Sequence, residues 1–148
     1  GWSLEMLGNG YILLGFFSVI GLVLGGPIVD RFDTKKTAIT VLFPLLLAII
    51  ILLFFENMFF LIIYMCLYGF NMGISTPFIG SLWAEIYGVE SLGTVKALLH
   101  AGAVFASALS PLVFGYFIDW GLGILTIGIV SIVIIIVSTL LPIYNKLP

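Results

Sequence analysis

Charge is what this sequence has least of. Five Lys and Arg and seven Asp and Glu are spread over 148 residues, or 8% charged, where about 25% is usual for a soluble domain. A nucleic-acid binder needs a basic patch, and five basic residues cannot supply one. A disulfide scaffold needs paired cysteines, and Cys66 is alone in an apolar run. A zinc centre needs three or four Cys, His or carboxylate ligands within reach of one another, and His100 is the one histidine. Neither a metal nor a cofactor is expected. No positively charged segment precedes a short apolar core near Gly1, so no signal peptide is read there.

What fills the chain instead is apolar. Hydrophobic residues make up 62% and the mean hydropathy is +1.32. So short a chain cannot hide that much apolar surface from water. The expectation is an all-α, polytopic membrane helix bundle. Charges and turn residues divide it into five segments, near 11–29, 37–55, 58–87, 94–118 and 122–141. Each approaches or exceeds the roughly 20 residues that cross a bilayer core. The breaks are polar: Asp30–Lys36, Glu56-Asn57, Gly88–Gly93 and Asp119-Trp120-Gly121.

The few charges orient the spans. Arg31, Lys35, Lys36, Lys96 and Lys146 all follow odd-numbered spans, whereas Glu5, Glu56 and Asp119 lie at the alternate ends. Under the positive-inside rule the basic side is cytoplasmic. The expected location is the cell membrane, multi-pass, with the N-terminus of this chain outside and its C-terminus in the cytoplasm. An outside N-terminus without a signal peptide suggests a fragment from which at least one preceding span is missing.

Helical periodicity then sorts the faces. At about 100° per residue, Tyr64, Tyr68, Asn71 and Ser75 fall within an arc of about 60°, and Gly69, Gly73 and Gly80 lie nearly opposite. The glycine face invites close approach of another helix. The Tyr/Asn/Ser face is poorly suited to lipid and should look into protein or water. It serves either interhelical packing or the lining of a cavity. Pro77 should kink the third span.

Lys96, His100 and Ser107 share a stripe on the fourth span. His100 is either a neutral partner for a neighbouring helix or a titrating, solute-contacting group. Lys96 reads as a side chain reaching for the membrane interface. On the first span Gly15, Ser18, Gly21, Gly25 and Gly26 form a broad small-residue face, interrupted by Leu22. The second span has no polar side chain between Val41 and Phe55, and the fifth has only hydroxyls. Spans one, three and four therefore read as interior, and two and five as facing lipid.

The loop Gly26-Pro27-Ile28-Val29-Asp30-Arg31-Phe32-Asp33-Thr34-Lys35 resembles the cytoplasmic signature of the major facilitator superfamily, Gly-x-x-x-Asp-Arg-x-Gly-Arg-Lys. Gly26, Asp30, Arg31 and Lys35 match, while Asp33 and Thr34 stand where the family has Gly and Arg. In that family the signature follows the second helix and, in degenerate form, the eighth. Two features favour the later copy. Trp83–Thr94 is similar to the stretch joining the tenth and eleventh helices of carboxylate-transporter-like members, and the Arg motif of a fourth helix is absent. The resemblance implies the C-terminal half, helices eight to twelve, without helix seven. Gly26-x-x-x-Asp30 and Gly115-x-x-x-Asp119 close spans at opposite faces, which suits the inverted three-helix repeats of such halves.

The same resemblance implies secondary transport of a small solute by alternating access, with a small organic anion such as a monocarboxylate as one substrate class. Its partners would be the solute, the bilayer, the missing N-terminal half with helix seven, and a coupling proton or ion. Tyr64, Tyr68, Asn71, Ser75, Ser107 and His100 become candidate cavity residues. Gly26, Asp30, Arg31 and Lys35 become a gating loop that helps hold the cytoplasmic side shut. The competing readings are a non-transporting scaffold or receptor on the same bundle, and an intramembrane enzyme. No catalytic residue is expected, since Ser75 and Ser107 lack a nucleophile-elbow context and no paired carboxylates lie within a span.

Overall fold

The computed structural model describes residues 4–32, 34–54 and 57–144, the side chains of 34–36, 38, 124 and 141–144 excepted. Among these residues there are five helices and no strands: α1 (Leu4–Arg31), α2 (Thr34–Phe54), α3 (Met58–Tyr87), α4 (Leu92–Asp119) and α5 (Ile124–Tyr144). Asp33 of the loop, and Glu56 and Lys146, two of the charges that orient the spans, lie outside the described residues.

The helices differ in reach. α1 and α4 have 28 residues and α3 has 30, or roughly 42–45 Å at 1.5 Å per residue. That exceeds a hydrocarbon core of about 30 Å, so such helices tilt or project into the headgroup region. By length and composition α1, α3 and α4 can each cross a membrane. The apolar stretches described in α2 and α5 are shorter, Ile39–Phe54 and Leu125–Leu140.

Turn chemistry sets the boundaries. Asn57 accepts from the Phe59 amide and caps α3 at its start, satisfying one of the orphan donors of the first turn. Gly88, at φ 78°, ends α3 while its amide bonds to Ala84 O at 3.0 Å. The α4–α5 turn is a Schellman motif: Gly121 sits at φ 74°, its amide reaches Ile118 O, and the Leu122 amide reaches Phe117 O at 2.9 Å. Between α1 and α2, the buried Thr37 donates to Phe32 O. Helix α3 runs through Pro77 as one continuous element.

The core is the seam between α1 and α3, the most extensive contact in the bundle. A side chain on Gly73 would lie 2.7 Å from Leu22 N and 2.9 Å from Gly21 Cα, and one on Gly69 would lie 2.9 Å from Leu14 Cα. Further along, a side chain on Gly25 would lie 2.7 Å from the Pro77 ring, so that ring seats where Gly25 has nothing. The partners Gly10–Met65, Leu14–Gly69, Ser18–Gly73 and Gly25–Pro77 advance together along both helices. The two helices are therefore parallel, as spans separated by one intervening span must be.

The small-residue face of α1 is narrower than the sequence suggests. Leu14, Ser18, Gly21 and Gly25 meet α3 at spacings of four, three and four, with Gly10 at the same seam, whereas Gly15 and Gly26 face open space. That spacing averages close to the 3.6 residues of a helical turn, which keeps one seam of a helix on its neighbour. Helix α2 packs on another side of α3 and on α5. Val41 and Ala48 are buried there, so α2 is a partner of α3 as well as a lipid-facing element. Helix α4, expected in the interior, has no buried residue within this chain and touches α3 only sparingly.

Candidate functional site

Three sides of α3 do three different things. Gly69 and Gly73 admit α1, as described. The expected polar face turns toward α2: Asn71 is buried, 7% exposed, and its Nδ2 donates to the backbone oxygen of Val41. Ser75 Oγ donates to Asn71 O at 2.7 Å, a bond within its own helix. Tyr68 and Tyr64 are half-buried one and two turns earlier, with rings stacked at 5.7 Å and 9°. Asn71 thus joins two helices, Ser75 serves its own, and the tyrosines form an aromatic step beside them.

The third side faces α4 and leaves a cavity of about 730 Å³. Helix α3 contributes Thr76, Gly80 and Trp83, and α4 contributes Lys96, His100 and Ala103. Ile79, Leu82 and Leu99 make the remaining walls apolar. Lys96 and His100 stand one turn apart on the same face of α4, the spacing at which helical side chains are neighbours. Lys96 reaches across to α3, its Nζ lying 3.3 Å from where a side chain on Gly80 would begin. Gly80 shares the glycine stripe with Gly69 and Gly73 but meets α4 instead of α1. Trp83 continues into a tilted ring pair with Tyr87, centroids 5.7 Å apart, at the Gly88 end of the helix.

Of the six side chains expected along a solute path, this cavity takes in His100. Tyr64, Tyr68, Asn71 and Ser75 lie elsewhere on α3, and Ser107 lies further along α4 on its exposed surface. Thr76, Gly80, Trp83 and Lys96 are lining residues that polarity stripes did not single out as site members. For Gly80 and Lys96 the usable signal was a glycine facing a long cationic side chain on the next span. Among the described residues no three His, Cys, Asp or Glu side chains gather as a metal ion would require.

The loop residues sit at the α1–α2 corner. Asp30 and Arg31 are exposed at the end of α1, Gly26 lies in open space one turn before them, and Lys35 belongs to the first turn of α2. The side chain of Lys35 is outside the described residues.

Long apolar helices joined by a glycine seam define a polytopic membrane helix bundle. Residues 1–147 match the family model described as Major Facilitator Superfamily. The chain belongs to that family, whose members are membrane transporters of small solutes rather than enzymes. No match was found among curated proteins or among solved structures.

Proposed function

We propose that this chain forms helices eight to twelve of a major facilitator transporter that moves a small organic anion across the cell membrane by alternating access. The observation that carries the reading is the cavity between α3 and α4, apolar over most of its wall, cationic at Lys96 and lined one turn further along α4 by His100. Family membership supplies the general activity, and the likeness of Trp83–Thr94 to the stretch joining the tenth and eleventh helices, with no fourth-helix Arg motif in α3, supports the placement in the second half. In that arrangement the N-terminal half and helix seven complete the pathway, and a proton or ion couples transport.

The chain enters the membrane from outside and leaves it in the cytoplasm, so that Asp30, Arg31 and Lys96 lie on the cytoplasmic side. Tyr64 and Tyr68 offer phenol groups and flat apolar faces to a passing solute. From α4, Ser107 offers a hydroxyl and His100 an imidazole, while Asn71 holds the pathway helix α3 against α2 and Ser75 bonds within its own helix. Asp30 and Arg31 act as a gate: an acidic group at the start of a neighbouring helix is favoured by the helix dipole, and breaking such a contact opens the cytoplasmic side.

The test is flux of a labelled short-chain monocarboxylate into proteoliposomes holding the full-length protein. Flux should fall steeply in the Asn71→Ala, Tyr68→Ala double variant. Undiminished flux in that variant would remove Tyr68 from the pathway and show that the Asn71 bond to α2 is not needed to hold it. No flux of any solute by the unaltered protein would favour a scaffold.

A further inference from the structure

The cavity between α3 and α4 has a lopsided chemistry. Positive charge enters from α4 alone, and among the described residues none of the lining side chains is acidic. The opposite wall is the Trp83 indole with Ile79 and Leu82, while the Thr76 hydroxyl stands one turn from Gly80. At Gly80 the missing side chain lets the Lys96 ammonium lie over α3. A volume of about 730 Å³ falls within the range of small-molecule sites.

We infer that this groove is a recognition site for carboxylates bearing a short apolar tail. Lys96 is the charge partner, His100 is a hydrogen-bonding group one turn along α4, and Gly80 is the residue that keeps the cation's approach open. The inference rests on the transporter reading above and names the substrate class and the residues that select it. A carboxylate satisfies the cation and a polar donor together, and its tail replaces water along the apolar wall. An uncharged amide of the same shape gains only the second of these. A bare inorganic anion gains only the first.

The experiment uses the full-length protein in nanodiscs of zwitterionic lipid, with Cys66→Ser and any other thiols removed, and Ala103→Cys as the reporter inside the groove. Its labelling is followed with an anionic and a cationic methanethiosulfonate of similar size, each rate normalised to a free thiol. A focused positive potential should favour the anionic reagent by about tenfold. Butyrate should slow labelling several-fold more than butyramide does. Lys96→Gln should abolish both effects and Lys96→Arg should keep the reagent preference. Gly80→Leu should block butyrate protection while the protein still elutes as a folded species.

Equal rates for the two reagents, or equal protection by butyrate and butyramide, would overturn the proposal. So would effects that survive Lys96→Gln. Protection that instead appears without butyrate when phosphatidylglycerol is added would assign the groove to a lipid headgroup and likewise overturn it. Flux measured on the same preparation separates the two levels of reading. Protection without flux leaves the carboxylate site standing and removes the transporter role, and flux without protection does the reverse.

Discussion

Replacing Gly73 by alanine inserts one methyl group where two helix backbones nearly touch. The added carbon would lie 2.7 Å from Leu22 N and 2.9 Å from Gly21 Cα, against ordinary separations of about 3.5–4.0 Å. Neither neighbour is a flexible side-chain end, so α1 and α3 must part by roughly 1 Å. A gap of that size forfeits a quarter to a half of each contact of about 0.1–0.2 kcal/mol. Over some 40 such contacts, about the number a buried leucine makes, the loss is about 2 kcal/mol. Better helix propensity returns at most about 1 kcal/mol, leaving a net destabilisation of about 1–2 kcal/mol.

The control lies on the partner helix. Gly15 meets nothing within 4 Å, so Gly15→Ala keeps the propensity gain without the clash and should be neutral or stabilising by up to about 1 kcal/mol. Titration with sodium dodecyl sulfate in mixed micelles, followed by circular dichroism, ranks the two variants against the parent. A Gly73→Ala protein as resistant to unfolding as Gly15→Ala would refute the close-packed seam.

Other perturbations probe separate parts of the structure. Asn71→Leu removes the bond to Val41 O and should cost about 0.6–1.7 kcal/mol in the same titration, with the α2–α3 contact loosened. Ser75→Ala, which loses only a bond to its own helix, should change stability by less than about 0.5 kcal/mol. Asp30→Asn should raise the reactivity of thiols placed on the cytoplasmic side of the bundle, and an unchanged labelling pattern would dismiss the gate.

The all-helical class was legible because long apolar runs and the polar caps between them are local chemistry. Asn57 and Gly88 cap α3, and Gly121 terminates α4, through bonds made within a few residues. The glycine face of α3 was legible too, since its spacing repeats at one turn. Which neighbour each face meets was not. Asn71 finds its partner in the backbone oxygen of Val41, at the start of a stretch of α2 whose side chains, through Phe54, offer nothing polar. A carbonyl available to a second donor leaves no mark in the sequence.

Gly80 repeats the spacing of Gly69 and Gly73, yet it faces Lys96 on α4 rather than the seam with α1. The cavity followed that geometry: the polarity stripe placed Lys96 and His100 on one face of α4, but of the lining only His100 was expected along a solute path. The scarcity of charge determined by itself that this chain belongs in a bilayer, because so apolar a surface has no stable arrangement in water. The tertiary structure alone decided which apolar faces meet one another. Lipid tails are as apolar as leucine, so within a membrane hydrophobicity cannot separate a packed face from an exposed one. Closeness of fit does that, and fit exists only once two helices are placed side by side.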